Sequence, residues 1–235
     1  MKLDLTVVMP VYNEAGCILE VINDWKQVLN ELKIRYVLKV INDGSTDATP
    51  VLLETFKNDR CVEVVNKKNS GHGPTILYGY GEAVKDSEWV FQCDSDNEIS
   101  AHNFKFLWEK REEFHALFGK RVDREQNISR KIISLCSRVV VRLFYGNQVG
   151  DVNTPFRLIR SDILKNIIKK IPPNTLAPNV IITGLIIDGG FKIFEHPVKH
   201  ETRKTGKPSI IRIGLWVFAA KCLYQTLYYR LALSH

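Results

Sequence analysis

The first 100 residues alternate short, mainly apolar runs with segments of helical spacing. The apolar runs are Leu5–Met9, Tyr36–Ile41, Val62–Val65 and Trp89–Cys93, and the helical segments are Glu14–Leu32, a segment capped by Asp47 that runs to Phe56, and Gly73–Val84. Short apolar runs bounded by turn residues are typical of strands buried on both faces of a parallel sheet. Because parallel strands need crossover connections, which helices supply, the alternation predicts a doubly wound α/β fold.

The rest of the chain is less regular and adds further helices and strands. Helices are predicted over Phe104–Phe114, Ile128–Phe144, Asp162–Lys170 and Pro178–Ile187, and strands over Leu117–Phe118 at a sheet edge, Phe156–Ile159, and Lys192–Glu195 with an end at His196–Pro197. A final amphipathic helix is predicted over Ile210–Leu233. A length of 235 residues fits one domain, which we place at 1–208 with halves 1–100 and 101–208, followed by a tail at 209–235.

Each of the first four predicted strands is followed by a cluster of polar residues. These clusters are Tyr12–Glu14, Asn42–Asp47, Asn69–Gly73 and Asp94–Glu98. In open α/β sheets, ligands bind beyond the carboxyl ends of the strands. The four clusters are therefore expected to form one site.

Asp94 and Asp96 lie on a sharp turn that ends the fourth strand, and Glu98 follows two residues later. Carboxylate oxygens on such a turn suit Mg²⁺ or Mn²⁺, which can bridge the phosphates of a nucleotide. A solvated acidic loop is the alternative when this pattern stands alone. The polar clusters after the other strands favour the metal-site hypothesis.

The remaining strand ends offer groups that suit a nucleotide. Asp43 can accept a hydrogen bond from the imide or amide N–H of a base or bind ribose, and an Asx turn with Gly44 and Ser45 is the alternative. Tyr12 and Glu14 can contact base and ribose, whereas a preference for a helix N-terminus is the alternative for Glu14. Gly71 and Gly73 allow close backbone approach at the start of a helix, which suits an anion. No G-x-G-x-x-G follows the first strand, which argues against a dinucleotide-binding fold.

Four segments together resemble family 2 glycosyltransferases of GT-A fold. They are Pro10-Val11-Tyr12-Asn13-Glu14, Asn42-Asp43-Gly44-Ser45-Thr46-Asp47, Asn69-Ser70-Gly71-His72-Gly73 and Asp94-Ser95-Asp96. The later part of the chain resembles the polyprenyl-phosphate branch of that family, which includes dolichol-phosphate mannose synthases. Its matching segments are Gly119-Lys120-Arg121-x-x-Arg124, Asp151 to Arg157, and His200-x-x-Arg203-Lys204-x-Gly206-Lys207.

The resemblance implies a Rossmann-like, doubly wound, mixed and mostly parallel sheet flanked by helices, and it implies roles for individual residues. Pro10, Tyr12, Glu14 and Asp43 would hold the nucleoside, Asp94 the ribose or metal shell, and Asp96 the metal with Glu98 beside it. Arg121, Arg124 and Arg157 would face the acceptor phosphate, and His200, Arg203 and Lys207 would lie on a loop that closes over the donor diphosphate. Two departures stand out: Glu98 replaces a common Gln, and Asn153-Thr154-Pro155 replaces the Thr-Ser-Gly common in mannose synthases.

The chemistry of sugar transfer agrees with this resemblance. Release of a nucleoside diphosphate builds negative charge, which a metal ion and Arg or Lys side chains stabilise. A hydroxyl acceptor needs a general base, for which Asp151 is the candidate, whereas a phosphate acceptor is already anionic. We expect inverting transfer of a hexose, mannose or glucose, from a GDP- or UDP-hexose to a polyprenyl or dolichyl phosphate. The alternative is transfer to a saccharide hydroxyl in polysaccharide or lipopolysaccharide synthesis.

Most of the net charge of +7 lies near the end of the chain. Residues 199–235 contain seven Lys or Arg and one Glu, interleaved with aromatic residues. This mixture suits an anionic membrane surface, and packing on the catalytic domain or on a small membrane-anchoring subunit is the alternative. Nucleic-acid binding would leave the strand-end clusters unexplained, and a catalytically silent nucleotide-sugar binder would leave the intact carboxylates unexplained.

The cellular location is predicted to be the cytoplasmic face of a membrane, with peripheral attachment. The five cysteines are scattered and form no C-x-x-C pair, which fits a reducing compartment. The first residues continue directly into a strand and have no secretory pattern. No uninterrupted apolar run reaches the roughly 20 residues that a membrane-spanning helix needs.

Overall fold

The computed structural model describes residues 2–122 and 149–201, together with Lys221, Tyr224, Gln225 and Tyr228. The strands of this part are β1 (Leu3–Val11), β2 (Tyr36–Asn42), β3 (Val62–Asn66), β4 (Ser87–Gln92), β5 (Ala116–Val122), β6 (Arg157–Arg160) and β7 (Ile193–Lys199). Its α-helices are α1 (Ile18–Glu31), α2 (Thr49–Leu53), α3 (His72–Asp86), α4 (Phe104–Lys110), α5 (Ser161–Ile168) and α6 (Pro178–Asp188), and 3₁₀ turns cover Glu54–Phe56 and Ala101–Asn103.

The strands form one sheet in the order β3-β2-β1-β4-β6-β5-β7. β1 is parallel to β2 and β4, β2 is parallel to β3, and β5 is parallel to β7. β6 is antiparallel to both of its neighbours, β4 and β5. The predicted doubly wound sheet, mixed and mostly parallel, is confirmed.

The core has two layers because the central strands are buried on both faces. Val7 and Met9 of β1 belong to one hydrophobic cluster, and Val8 between them belongs to the other. The first cluster packs α1 and α4 against the sheet through aromatic rings, among them Trp25 and Phe91 with ring centroids 5.1 Å apart. The second cluster packs α3, α5 and α6 against the opposite face.

Two boundaries differ from the sequence predictions for physical reasons. The segment Leu117–Phe118 was expected at an edge, but β5 lies between β6 and β7, and both side chains are fully buried. The final strand was expected to end at His196–Pro197, but β7 continues to Lys199. Proline is tolerated there because β7 is the edge strand of the sheet that residues 2–122 and 149–201 form.

The start of α1 also differs. A helix was predicted from Glu14, whereas α1 begins at Ile18. Asn13 has a φ of 57°, residues 15–17 form a turn, and the carbonyl of Glu14 accepts hydrogen bonds from the N–H groups of Cys17 and Ile18 as that turn leads into the helix. Glu14 is thereby left in the loop beyond β1.

Several predictions concern residues that the structure does not describe. The predicted helix Ile128–Phe144 and most of the tail at 209–235 lie outside the described residues, as does the boundary at 208, so these stay predictions. Lys221, Tyr224, Gln225 and Tyr228 are helical. Within the described part of the chain, every helix is too short or too polar to cross a bilayer.

Candidate functional site

A cavity of about 470 Å³ opens beyond the carboxyl ends of β1, β2 and β4, beside the first turn of α3. The chain winds from β1 outward to β3 and then returns to place β4 on the other side of β1, so the cavity lies at the point where strand order reverses. The predicted site residues on its wall are Pro10, Tyr12, Glu14, Asp43, Gly71, Gly73, Asp94 and Asp96. The structure therefore brings the polar residues of four separate segments into one cavity.

The loops after β1 and β2 are tied together by side chains. The Asn13 amide oxygen accepts the Thr46 N–H at 2.8 Å, and the Asn13 N–H donates to Ser45 Oγ at 3.0 Å. Asp47 was predicted to cap the helix, but Ala48 occupies the cap position; the Asp47 carboxylate instead accepts the N–H of Thr49, the first residue of α2, at 2.9 Å and that of Ala15 at 3.2 Å. This network fixes the loop that carries Tyr12, whose side chain is partly exposed on the cavity wall.

Asp43 is buried at the end of β2 and organises the loop before α3. One carboxylate oxygen accepts hydrogen bonds from the Lys67 ammonium and, at 2.9 Å, from the Ser70 N–H, while the other accepts the Gly71 N–H at 2.9 Å. Burial raises the pKa of Asp43, but the hydrogen bonds from Lys67, Ser70 and Thr75 outweigh it and hold the pKa below the ordinary aspartate value. An Asx turn alone therefore does not account for the hydrogen bonds that Asp43 makes.

Asp43→Asn should lower stability by about 2 kcal/mol at neutral pH, because Lys67 would lose its buried carboxylate. Since the folded pKa of Asp43 lies below the unfolded one, its stabilisation is complete above about pH 4 and disappears as pH falls through the folded pKa. Thermal melts of both proteins from pH 3 to 7 would measure this. A melting-temperature difference that stays constant down to pH 3 would contradict the assignment.

Different structural constraints favour glycine at the two positions at the start of α3, Gly71 and Gly73. Gly71 has a φ of 92°, which other residues rarely adopt, and a Cβ placed there would meet nothing within 4 Å. A Cβ at Gly73 would lie 2.3 Å from the Thr175 carbonyl oxygen and 2.4 Å from that of Leu176. A ligand was predicted to approach the backbone closely at Gly73. In the structure the carbonyl oxygens of Thr175 and Leu176 make this close approach.

The turn after β4 presents Asp94 and Asp96 on the cavity wall. Buried Ser95 anchors the turn, because its hydroxyl donates to the carbonyl oxygen of Pro10 at 3.0 Å. Asp94 Oδ1 is buried without a hydrogen-bond partner among the described residues, and it lies 3.7 Å from His72 Nε2. A buried carboxylate oxygen in this state suits a cation.

Glu98 was predicted as a further metal ligand, but the structure pairs it with His200 at 2.9 Å between Oε2 and Nε2. The Glu201 N–H also donates to the Glu98 carbonyl oxygen at 2.8 Å, so the end of β7 is attached to the turn that holds Asp94 and Asp96. In the described part of the chain, no three His, Cys, Asp or Glu side chains are close enough together to hold a metal ion.

The residues present nevertheless fit a divalent cation. Mg²⁺ is commonly held by one or two carboxylates, with substrate phosphates and water as its other ligands. Asp94 and Asp96 supply such carboxylates on the wall of a cavity large enough for a nucleotide. A cation held there would offset the negative charge of a diphosphate.

Arg121 and Asp151 form a partly buried ion pair with two hydrogen bonds. Arg121 Nε lies 2.7 Å from Asp151 Oδ2, and its Nη2 lies 2.9 Å from Oδ1 and 3.2 Å from the Asn153 carbonyl oxygen. Burial acts to lower the pKa of Arg121, but the hydrogen-bonded pair with Asp151 keeps it above the ordinary arginine value. Both oxygens of the predicted general base, Asp151, are thus engaged by a permanent cation.

The prediction that Arg157 faces the acceptor phosphate is wrong. Its guanidinium is fully buried and donates to the carbonyl oxygens of Thr154 at 2.9 Å, Asn179 at 3.1 Å and Val152 at 3.2 Å. Burial lowers the pKa of Arg157 to about 10, so the group is still charged at neutral pH. Arg157 therefore connects the loop before β6 to α6.

Some site residues were missed by sequence reasoning, and others lie outside the described residues. Lys67 follows β3 and binds Asp43, so its position just after a strand was an available signal. Leu176 lines the cavity from a loop that no sequence pattern marks. The predicted site residues outside the described part are Arg124, Arg203 and Lys207.

A family profile described as "Glycosyl transferase family 2" matches residues 6–168. Among curated relatives, the chain is 26% identical over 231 residues to an undecaprenyl-phosphate 4-deoxy-4-formamido-L-arabinose transferase of Klebsiella pneumoniae (strain 342), covering 94% of this chain and 68% of the relative. It is 24% identical over 178 residues to the protein of the same name from Proteus mirabilis (strain HI4320), covering 74% of this chain. The chain spans about half of that relative's length, 54%.

Solved structures share the fold at low sequence identity. Glucosyl-3-phosphoglycerate synthase from Mycobacterium tuberculosis, in complex with Mn²⁺, UDP and glucosyl-3-phosphoglycerate, superposes with a TM-score of 0.72 at 14% identity, over 97% of this chain and 80% of that one. S. aureus TarS 1-349 in complex with UDP gives a TM-score of 0.59 at 20% identity, over 85% of this chain and 60% of that one. These likenesses establish the fold and nothing about substrates.

Proposed function

The chain belongs to glycosyl transferase family 2, and on that premise we propose that it transfers a glycosyl group from a nucleotide sugar to a polyprenyl phosphate. The observation that carries the proposal is the single cavity in which strand-end residues from β1, β2 and β4 meet the first turn of α3. The proposed division of labour gives the nucleoside to Tyr12, Glu14 and Asp43. Asp94 and Asp96 take the metal-bound diphosphate.

The state of the Asp43 carboxylate favours a uridine nucleotide. One oxygen accepts from Lys67 and Ser70, the other accepts the N–H of Gly71, and Thr75 also hydrogen-bonds the carboxylate. Each carboxylate oxygen has two lone pairs, so these donors already occupy most of the acceptor capacity of Asp43 and a ligand with one donor suits it better than a ligand with two. Uracil offers one imide N–H on that edge, whereas guanine offers two neighbouring donors that need two free oxygens.

The engagement of Asp151 favours a phosphate acceptor. A hydroxyl acceptor must lose a proton to a general base, and Asp151 is held by Arg121 through both oxygens. An anionic phosphate oxygen can attack directly: its bond to the anomeric carbon forms as the bond to the nucleoside diphosphate oxygen breaks, with inversion. The names of the curated relatives also specify undecaprenyl phosphate.

The names of the curated relatives bear on the sugar. A hexose was expected, whereas the names of the curated relatives specify 4-deoxy-4-formamido-L-arabinose, a pentose derivative. We therefore propose a glycosyl group from a uridine nucleotide, with Mg²⁺ or Mn²⁺ as cofactor, and keep both sugar classes in the test.

We propose that the tail attaches the protein to a membrane surface. Tyr224 and Tyr228 are 67% and 54% exposed, and their rings stack with centroids 6.1 Å apart. Exposed tyrosines beside a basic residue such as Lys221 suit the headgroup region of a bilayer that carries the polyprenyl phosphate. We place this attachment at the cytoplasmic face of the membrane and propose a small membrane-anchoring subunit as a partner.

The decisive experiment follows the label from donor to lipid. Purified protein with Mn²⁺ and undecaprenyl phosphate is incubated with radiolabelled UDP-glucose, the UDP derivative of 4-deoxy-4-formamido-L-arabinose, or GDP-mannose. We expect lipid- and metal-dependent label in the organic phase from one uridine donor. Label from GDP-mannose alone would contradict the uridine assignment, and donor hydrolysis without organic-phase label would contradict the acceptor assignment.

A further inference from the structure

Among the four described tail residues, Gln225 contacts the wall of the cavity. The backbone N–H of Leu176 donates to the side-chain oxygen of Gln225 at 2.9 Å. Leu176 lines the cavity, and Gln225 is half-buried in the helical tail. The contact joins residues 49 positions apart in the chain.

The loop that receives this contact is fixed on its other side. Buried Thr175 donates twice to the Pro172 carbonyl oxygen, from its N–H at 3.1 Å and from its hydroxyl at 2.7 Å. The carbonyl oxygens of Thr175 and Leu176 pack directly on Gly73, where a Cβ would overlap both. The loop is therefore held between the first turn of α3 and Gln225.

We propose that Gln225 is a positioning residue for the nucleotide-sugar donor, because it holds Leu176 and thus the part of the cavity wall that packs on Gly73. The inference rests on the proposed function, in which this cavity binds the nucleotide. Gln225 itself need not touch the donor. Binding free energies are linked reciprocally. If the contact between Gln225 and Leu176 favours donor binding, then donor binding favours that contact equally.

The test exchanges the hydrogen-bond acceptor for an isosteric apolar group. Gln225→Met should raise the Kd for UDP with Mn²⁺ and the KM for the donor by about fivefold or more, with kcat changed by less than about twofold. Gln225→Glu should keep both the Kd and the KM near the wild-type values, because a carboxylate oxygen can accept the same Leu176 N–H. Gln27→Met, the same exchange at an exposed surface pair on α1, is the matched control and should resemble the wild type.

A second measurement keeps the inference separate from the proposed function. Amide hydrogen exchange of Leu176 should be faster in Gln225→Met than in wild type or Gln225→Glu, whether or not a nucleotide is present. Unchanged exchange would overturn the contact, and faster exchange with wild-type UDP affinity would overturn the positioning role. A wild-type protein that binds no UDP would instead overturn the proposed function and, with it, the positioning role.

Discussion

Asp96→Ala should lower kcat for sugar transfer on the order of 10²–10³-fold, with the melting temperature close to that of the wild type. The carboxylate lies on the cavity wall beside Asp94, where it would share a divalent cation with the donor diphosphate. The Asp96 carboxylate accepts the Glu98 N–H at 3.2 Å, but the turn is also held by Ser95, which binds the Pro10 carbonyl oxygen, and by the pair between Glu98 and His200. Loss of activity should therefore come without loss of fold.

A metal-dependent binding measurement separates the proposed role from a structural one. Mn²⁺ should tighten UDP binding to the wild type, and this gain should vanish in Asp96→Ala, while UDP binding without metal is similar in both. Asp162→Asn removes an exposed carboxylate on α5, outside the cavity, and should leave kcat and the Mn²⁺ effect unchanged. Retained turnover in Asp96→Ala would overturn the metal assignment.

The sequence predicts the half of the fold that contains the cavity because two simple rules apply there. β1, β2 and β4 are buried on both faces, so their short apolar runs are visible without any structural information. Their carboxyl ends meet at one edge, so the polar residues that follow them must converge. That geometry places Asp43 near Asp94 and Asp96 before any contact is known.

The same reasoning fails where a role depends on the direction of one side chain or on a contact between distant segments. Glu98 and His200 each look like ligands for a diphosphate or a metal, yet they bind one another across the sheet end. The Leu176–Gln225 contact joins a loop and a tail that no periodic pattern relates. Such pairings depend on how layers pack, which local patterns do not encode.

Arg157 is the clearest case, because a motif that resembles an acceptor-binding segment contains an arginine with a structural role. The guanidinium lies over the Phe118 ring, 4.9 Å from its centroid, and donates to three backbone carbonyl oxygens and to Thr183 Oγ1. A sequence shows that an arginine is present but not whether carbonyl oxygens already occupy its donors. Its substitution is therefore expected to affect stability before catalysis.

Arg157→Met should lower the free energy of unfolding by about 3–5 kcal/mol, since several buried acceptors would lose their partner at once. Urea denaturation should show a lower midpoint with an unchanged slope. Arg160→Met, on the same strand but half-exposed and paired with Asp162, is the matched control and should change stability by less than about 1 kcal/mol.

Arg157→Lys distinguishes a structural arginine from a phosphate ligand if the methionine variant does not fold. A lysine keeps the positive charge but has one compact ammonium group, which cannot span the Thr154, Asn179 and Val152 carbonyl oxygens as the planar guanidinium does. The variant should therefore remain clearly less stable than the wild type, while the KM for polyprenyl phosphate measured well below its melting temperature stays within about twofold. Wild-type stability with a strongly raised acceptor KM would instead place Arg157 in the acceptor site. A positive charge alone would then be enough for folding, whereas binding of the acceptor phosphate would need the planar guanidinium.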